Sequence, residues 1–401
     1  MTLRIKAGPP VYGGYTLYKE EGRGVIFVKG ALPEEVVDIV IEEEKKDYSV
    51  ARIVEVVEPS EWRVKPLCEV YGICGGCQLQ HADYNYQLNM KAEVLKETLK
   101  RIARLEVDII PVRSLKPFNY RYRAQFKIGS SGIGFYKEGS RELVPVNSCP
   151  LMKEEINNLI PFMSGLAHIR PLKEVHVLTN GKESLLYLKG INYNEALLSN
   201  LCVNGLKGVA FENRVYGQDF IELPLDNISY TISVRSFFQT NWELNRSLIK
   251  TLSETINNRD IRLLDLYAGA GNFSIPLSLT VKEVIAVEEN PPAFNDLKRN
   301  IEKNSIKNLK PVNSSIERFR PSGHYDVVIV DPPRPGLTDR ALRTVLEADP
   351  VKLIYISCNP TTLARDIKKL LQRYELQQIE IFDFFPNTYH IESLAILQKR
   401  N

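Results

Sequence analysis

Ser357-Cys358-Asn359-Pro360 follows an apolar run, Leu353 to Ile356, with the composition of a buried strand. A thiol is thereby set where a sheet strand ends, and open α/β sheets bind ligands at the carboxyl ends of their strands. The same half of the chain carries a glycine-rich turn, Asp265-Leu266-Tyr267-Ala268-Gly269-Ala270-Gly271. A thiolate is the strongest ordinary protein nucleophile, so a cysteine beside a nucleotide-type cofactor points to covalent catalysis. A lone free cysteine is more often a small buried hydrophobe; the surrounding motifs reverse that balance.

A glycine turn after a strand lets the backbone approach a ligand closely. An acidic residue at the end of the next strand can hold both hydroxyls of a ribose. Asp265, Gly269, Gly271 and Glu288 fit that scheme. A dinucleotide site would want G-x-G-x-x-G, and the third glycine is absent after Gly269-Ala270-Gly271-Asn272-Phe273. A cofactor without a pyrophosphate fits better, and S-adenosylmethionine is the obvious one. Asp331-Pro332-Pro333 closes another apolar run and strengthens the reading.

Cys68, Cys74 and Cys77 are spaced C-x5-C-x2-C, and Cys149 stands far downstream before Pro150. The amino terminus, Met1 to Pro10, is polar and broken by proline, so no export signal supports a disulfide framework. Gly75 and Gly76 let the backbone fold tightly, so that thiolates converge and amides can donate to sulfur. Four thiolates suit either zinc or an iron–sulfur cluster. Structural zinc more often pairs two C-x2-C knuckles, so the spacing favours the cluster. Cys202 has no partner pattern and reads as structural.

The elements that must position these groups can be read more coarsely. With 401 residues, two or three domains are expected. An apolar fraction of 44% and a charged fraction of 25% are those of a globular protein. No apolar stretch approaches the ~20 residues that span a bilayer, and a cytoplasmic location is expected. A net charge of +3 does not argue for nucleic acid. Its distribution is more telling: between Pro111 and Ser130 lie Arg113, Lys116, Arg121, Arg123 and Lys127, interleaved with Phe118, Tyr120, Tyr122 and Phe126, without an acidic residue. Such a mixture suits single-stranded RNA, or else a solvated basic edge strand.

Residues 1 to 60 look like a small β-barrel of the OB type, rich in β-branched residues from Val36 to Ile41 and Val50 to Val57. Asn85 to Arg104 reads as a helix with Leu88, Leu95, Leu99 and Ile102 on one face and Lys91, Lys96, Lys100 and Arg101 turned away. Residues 61 to 228 read as a central α+β domain that bears the cysteines. From 229 to 401 helix and strand alternate, as in a doubly wound, Rossmann-like sheet.

Taken together these motifs resemble the RNA uracil-carbon-5 methyltransferases, in the branch that carries an iron–sulfur cluster. The resemblance spans nearly the whole chain. It rests on Gly30-Ala31-Leu32-Pro33, Cys74-Gly75-Gly76-Cys77-Gln78-Leu79-Gln80-His81 and Ser236-Phe237-Phe238-Gln239-Thr240-Asn241. It continues through Asp331-Pro332-Pro333-Arg334, Ser357-Cys358-Asn359-Pro360 and Phe385-Pro386-Asn387-Thr388-Tyr389-His390-Ile391-Glu392-Ser393. The resemblance implies a TRAM-type amino-terminal barrel, a central cluster-bearing domain and a methyltransferase domain. It implies a [4Fe-4S] cluster on Cys68, Cys74, Cys77 and Cys149, and S-adenosylmethionine held by Gln239, Tyr267, Asn272, Glu288 and Asp331. It implies Cys358 as nucleophile and Glu392 as base, with tRNA or 23S rRNA as substrate and a monomeric enzyme. Tyr267, where some members have phenylalanine, and Pro335, where alanine or lysine is common, are the small departures.

The chemistry needs these groups. Carbon 5 of uracil is a poor nucleophile, and thiolate addition at carbon 6 turns it into an enolate carbon. A nearby carboxylate must later remove the carbon-5 proton, and Arg334 is a candidate donor to the charged uracil oxygen. Three rival readings are weaker. An exocyclic-amine methyltransferase would favour an aromatic residue after Pro333 and leave Cys358 idle. A radical enzyme would want C-x3-C-x2-C. A non-catalytic RNA-binding protein with a structural metal would not need Cys358 at all.

Overall fold

The computed structural model describes residues 2–20, 24–169, 171–192, 204–256 and 258–400, so Cys202 lies outside the described residues. The chain opens with β1 (Leu3–Lys6), β2 (Pro10–Val11), β3 (Tyr15–Glu20), β4 (Gly24–Lys29), β5 (Val36–Glu44) and β6 (Tyr48–Glu58), in one sheet ordered β1-β5-β6-β4-β3-β2. Alternation along the strands buries Ile26, Val28, Val37 and Ile39 on one side. The Gly8 amide donates to the Leu17 carbonyl at 2.9 Å, which draws the β1–β2 connection onto β3 and curls the sheet on itself. Buried Glu35 accepts from Arg63 at 2.5 and 2.6 Å and anchors the exit from this sheet.

Helix α1 (Tyr84–Ala103) begins at Asp83, whose side chain accepts from the Asn85 amide, and ends at Arg104 in a left-handed conformation. After β7 (Ile110–Val112) come β8 (Arg123–Gly129), β9 (Gly132–Tyr136), β10 (Leu143–Pro145), α2 (Glu154–Gly165), β11 (Glu174–Thr179), β12 (Ser184–Lys189), β13 (Leu206–Ala210) and β14 (Val215–Gly217). They form a sheet ordered β10-β9-β8-β11-β12-β13-β14, covered on one face by α2 through Ile156, Leu159, Ile160 and Met163.

The hairpin β15 (Phe220–Leu225) and β16 (Ile228–Ser233) leads into α3 (Trp242–Thr255), β17 (Arg262–Leu266), the short α4 (Ser274–Ser278), β18 (Glu283–Glu288) and α5 (Pro291–Lys303). Next follow β19 (Leu309–Asn313), β20 (Val327–Val330), α6 (Asp339–Ala348), β21 (Lys352–Ser357), α7 (Pro360–Leu370), β22 (Tyr374–Phe382) and β23 (Glu392–Lys399). The eight-stranded sheet is ordered β19-β18-β17-β20-β21-β23-β22-β7. Strands β17 to β21 run parallel, and β23 is antiparallel to both its neighbours. Separate apolar cores cover the two faces, which is why the central strands read as continuous apolar runs. The strand order reverses at β17, so the crevice beyond the ends of β17 and β20 is where this topology binds ligands.

Residues 84–112, grouped by sequence with the central segment, pack with this last sheet. Val94, Leu95 and Leu99 of α1 enter the core that α6 and α7 line, and β7 pairs in parallel with β22. Lys91 is a second correction: it is buried, not turned to solvent, with 2% exposure. It stands three residues after Leu88 and four before Leu95, so helical geometry puts it on their face. Among the described residues no helix is long and apolar enough to cross a membrane.

Candidate active site

The glycine turn follows β17 directly. Gly271 has φ 91°, and a Cβ there would lie 2.7 Å from Ile275 Cγ1 and 2.8 Å from Leu297 Cδ1, so only glycine lets the turn settle onto α4 and α5. At the end of β18, Glu288 accepts the Gly269 amide at 2.8 Å and the Asn290 amide at 2.6 Å, which fixes its carboxylate behind the turn. Gln239, Tyr267, Asn272 and Asp331 line one cavity of about 380 Å³, walled by Phe237, Phe238 and Phe273. That is a volume for a small organic ligand. Glu288 does not line this cavity itself. Asn272 is held by a reciprocal amide pair with Asn245, at 2.7 and 3.0 Å, a support that no sequence motif announced. Gln239 follows a turn that Asp296 ties down through the Ser233 amide at 2.8 Å and the Ser236 hydroxyl.

Asp265 is buried beneath the turn, accepts from the Ser274 hydroxyl, and leaves Oδ1 without a partner. Burial pushes its carboxyl up to about 7, against the Ser274 bond and with help from Glu288. It acts on the turn from below.

Cys358 and Glu392 meet at the same edge of the sheet. The antiparallel ladder between β21 and β23 ends at Ser357 opposite Ser393, and one step further in that register sets Cys358 opposite Glu392. Asp331 ends the neighbouring strand β20. Asn359 caps α7 by accepting the Thr361 and Thr362 amides, and its Nδ2 donates to the Arg334 carbonyl at 3.2 Å. Arg334 Nη2 stands 3.4 Å from His390 Nε2. Glu392 is 6% exposed. Burial, with Asp331 next, raises its carboxyl well above the usual range, while Arg334 opposes. Burial pushes the Cys358 thiol up to about 12, with Glu392 and Asp331 adding and Arg334 opposing. Both groups therefore favour their protonated forms more than they would in water, and both lose protons more readily as positive charge enters.

The cysteine loop forms a separate site. Cys68, Cys74, Cys77 and Cys149 are free thiols, all partly buried, and line a cavity of about 520 Å³ with Arg121, Phe135 and Met152. The Gly76 amide donates to Cys74 Sγ at 3.4 Å. Asn157 holds Cys149 by accepting from its amide at 2.9 Å and donating to its carbonyl at 3.1 Å. Among the described residues no three His, Cys, Asp or Glu side chains gather around one point closely enough to hold a single metal ion.

The tRNA (Uracil-5-)-methyltransferase family matches residues 83–324 and 321–400. A protein of Aquifex aeolicus named an uncharacterized RNA methyltransferase is 36% identical over 424 residues, covering 100% of this chain and 99% of that one. Another of that description from Caldanaerobacter subterraneus is 31% identical over 450 residues, covering 99% of each. The chain belongs to the tRNA (uracil-5-)-methyltransferase family. The Pyrococcus abyssi tRNA (uracil-54, C5)-methyltransferase, solved in complex with S-adenosyl-L-homocysteine, superposes with a TM-score of 0.79 at 27% identity, covering 98% of this chain and 100% of that one. The present family member is an S-adenosylmethionine-dependent RNA uracil-5 methyltransferase, which sets aside the reading as a non-catalytic RNA-binding protein.

In this methyltransferase the segment from Asp383 to Glu392 is clamped from several sides. Lys91 donates to Asp383 at 2.6 Å and to the Phe385 carbonyl at 3.0 Å. The Gln78 and Leu79 amides, next to Cys77, donate to the Asn387 carbonyl at 3.1 and 3.0 Å. Gln87 accepts from the Asn387 amide at 2.8 Å, and the Tyr120 hydroxyl donates to the Pro386 carbonyl at 3.0 Å. Residues on both sides of this clamp stand inside the sequence motifs, yet only the fold reveals that they touch.

The basic and aromatic run is corrected by the structure in its second half. Tyr120, Tyr122 and Phe126 are buried core residues. Arg123 donates to the Ser236 and Val234 carbonyls, and Arg121 lines the cysteine cavity with its Nε unpartnered. Arg121 and Arg123 thus carry internal loads, whereas Arg113 and Lys116 are exposed and Lys127 pairs with Glu174 at 2.7 Å. Strand alternation buries Ala124 and Phe126 and sets Arg123 on the other face of β8, where the Ser236 and Val234 carbonyls replace solvent around it.

Proposed function

We propose that this enzyme methylates carbon 5 of a uridine in folded RNA, either tRNA or 23S rRNA, through a transient bond between Cys358 Sγ and uracil carbon 6. The observation that carries the reading is the meeting of Cys358 and Glu392 on adjoining strand ends next to Asp331. A base stacked in RNA must be flipped out to reach such a site. The Cys358 thiolate adds to carbon 6, and the electron pair moves through carbon 5 to the carbonyl at carbon 4, where Arg334 stabilises the charge. S-Adenosylmethionine, when bound, supplies an electrophilic methyl group and a positive charge beside the carboxylates. Carbon 5 then bonds the methyl carbon as the methyl–sulfur bond breaks, its electron pair staying on sulfur as the neutral thioether S-adenosylhomocysteine; Glu392 removes the carbon-5 proton, and the electron pair left behind expels the Cys358 thiolate. Gln239, Tyr267, Asn272 and Asp331 hold the cofactor in their cavity, and Glu288, outside that lining at the end of β18, would take its ribose hydroxyls.

Residues 1–60 act as a TRAM-type RNA-binding unit, 61–228 as the cysteine-bearing unit and 229–401 as the catalytic unit, with α1 and β7 serving the last. Cys68, Cys74, Cys77 and Cys149 are the ligands of a [4Fe-4S] cluster. What supports a cluster is the C-x5-C-x2-C spacing with Cys149 far downstream, together with the lining of one cavity by all four thiols. The methyl transfer needs no electron from it, so its role is to brace the loop that holds Asn387. Protein purified without oxygen should contain about four iron and four sulfide per chain, and Cys149→Ser should lose them; zinc or no metal in the native protein would refute the assignment.

The function is tested by incubating the enzyme with unmodified tRNA and 23S rRNA transcripts and mapping 5-methyluridine. One site in one of the two RNAs is expected, and Cys358→Ala should abolish it. Methyl groups found on an exocyclic amine would overturn the reading.

A further inference from the structure

The hairpin between β2 and β3 reaches out of the amino-terminal sheet. Its tip, Tyr12-Gly13-Gly14, has positive φ at both glycines, 108° and 82°. A Cβ on Gly14 would sit 2.7 Å from Gln78 Cβ and 3.5 Å from Tyr389 Cβ. The tip is therefore wedged between the cysteine loop and the segment that carries Glu392, at a spacing only glycine permits. Tyr12 meets Tyr389 edge to face, with ring centroids 5.3 Å apart. It packs on the apolar core of the carboxyl-terminal sheet. With Tyr389 and Ile391 it lines a cavity of about 260 Å³ one residue from Glu392. Its hydroxyl lies within electrostatic reach of Arg334, Cys358 and Glu392, and burial raises it to about 12, so it is neutral. Among the described residues no group hydrogen-bonds that hydroxyl.

A neutral hydroxyl without a protein partner, held against the segment that leads to Glu392 by a distant part of the chain, is available to a substrate. Uracil offers a polar edge of two carbonyl oxygens and one N–H, while carbon 5 and carbon 6 must face the methyl donor and Cys358. We propose that Tyr12 is a uracil-positioning residue that hydrogen-bonds the polar edge of the flipped base, so that the amino-terminal sheet completes the active site. This rests on the covalent reading of Cys358.

Tyr12→Phe keeps the ring and its contact with Tyr389 and removes the hydroxyl alone. tRNA and 23S rRNA fragments transcribed with 5-fluorouridine serve as probes, and covalent capture is timed below and above RNA saturation. Tyr12→Phe should capture about tenfold more slowly at saturation, the factor for one hydrogen bond. Its half-saturating RNA concentration should stay within about twofold of wild type, and its melting temperature should not change, as one hydroxyl without a protein partner is removed. Capture at the wild-type rate, or a deficit that more RNA fully restores, would overturn the proposal, the latter by making Tyr12 a general RNA contact. Failure of wild-type capture alongside normal methylation would instead sink the covalent reading on which it stands.

Discussion

Glu392 owes its role to where it is buried. As a solvated glutamate it would be ionised and unremarkable, but at the start of β23 it is enclosed beside Asp331, and both effects favour the protonated form. Replacing it by glutamine keeps the shape and removes the proposed base. Glu392→Gln should still form the Cys358 bond and methylate carbon 5, then stall with the carbon-5 proton in place. Ordinary RNA should therefore migrate attached to the variant on a denaturing gel, and turnover should fall by about 100-fold or more. Unbound RNA with wild-type turnover would show that another group takes the proton. At this scale the sequence was partly legible. Cys358, Glu392 and the lining residues Gln239, Tyr267, Asn272 and Asp331 stand inside recognisable motifs. Lys91, Arg121 and Arg123 do not reveal themselves, because residue type says solvent and only their tertiary partners say otherwise.

At the scale of elements, the parallel strands β17, β18, β20 and β21 are legible because burial on both faces makes them apolar runs. Helices α6 and α7 are not legible in that way. Each is short, and its buried face is scattered among charged residues, as with Ala341, Leu342 and Val345 of α6 between Arg340, Arg343 and Glu347. The destination of α1 was hidden too. Its apolar stripe says that it packs, and only the fold says that it packs with α6 and α7 against the last sheet. That docking sets Lys91 against Asp383, an ion pair that is almost wholly buried. Lys91→Met would leave Asp383 charged and unpaired, at a cost of about 3–5 kcal/mol. The expected result is a lowered urea midpoint together with lost methylation, since the same lysine holds the Phe385 carbonyl. The double variant Lys91→Met with Asp383→Leu should recover much of the stability. A single variant as stable as wild type would mean that the pair contributes nothing net.

Across the whole molecule, the segment from Asp383 to Glu392 is where the three larger sheets meet. Tyr12 and Gly14 approach it from the amino-terminal sheet, Gln78 and Leu79 from the cysteine loop, and Tyr120 from the chain that enters the central sheet. These partners are hundreds of residues apart in sequence, so no local pattern could have announced them. The consequence is an enzyme whose amino-terminal and cysteine-bearing parts share hydrogen bonds and packing with the strand end that bears the proposed base. The central claim remains the bond from Cys358 sulfur to the uracil ring, and fluorine tests it because it cannot leave carbon 5 as a proton does. Wild-type enzyme mixed with S-adenosylmethionine and 5-fluorouridine transcripts of its own substrate should form a protein–RNA species that survives denaturation, and Cys358→Ala should form none. Efficient methylation of ordinary RNA with no such species would contradict the account.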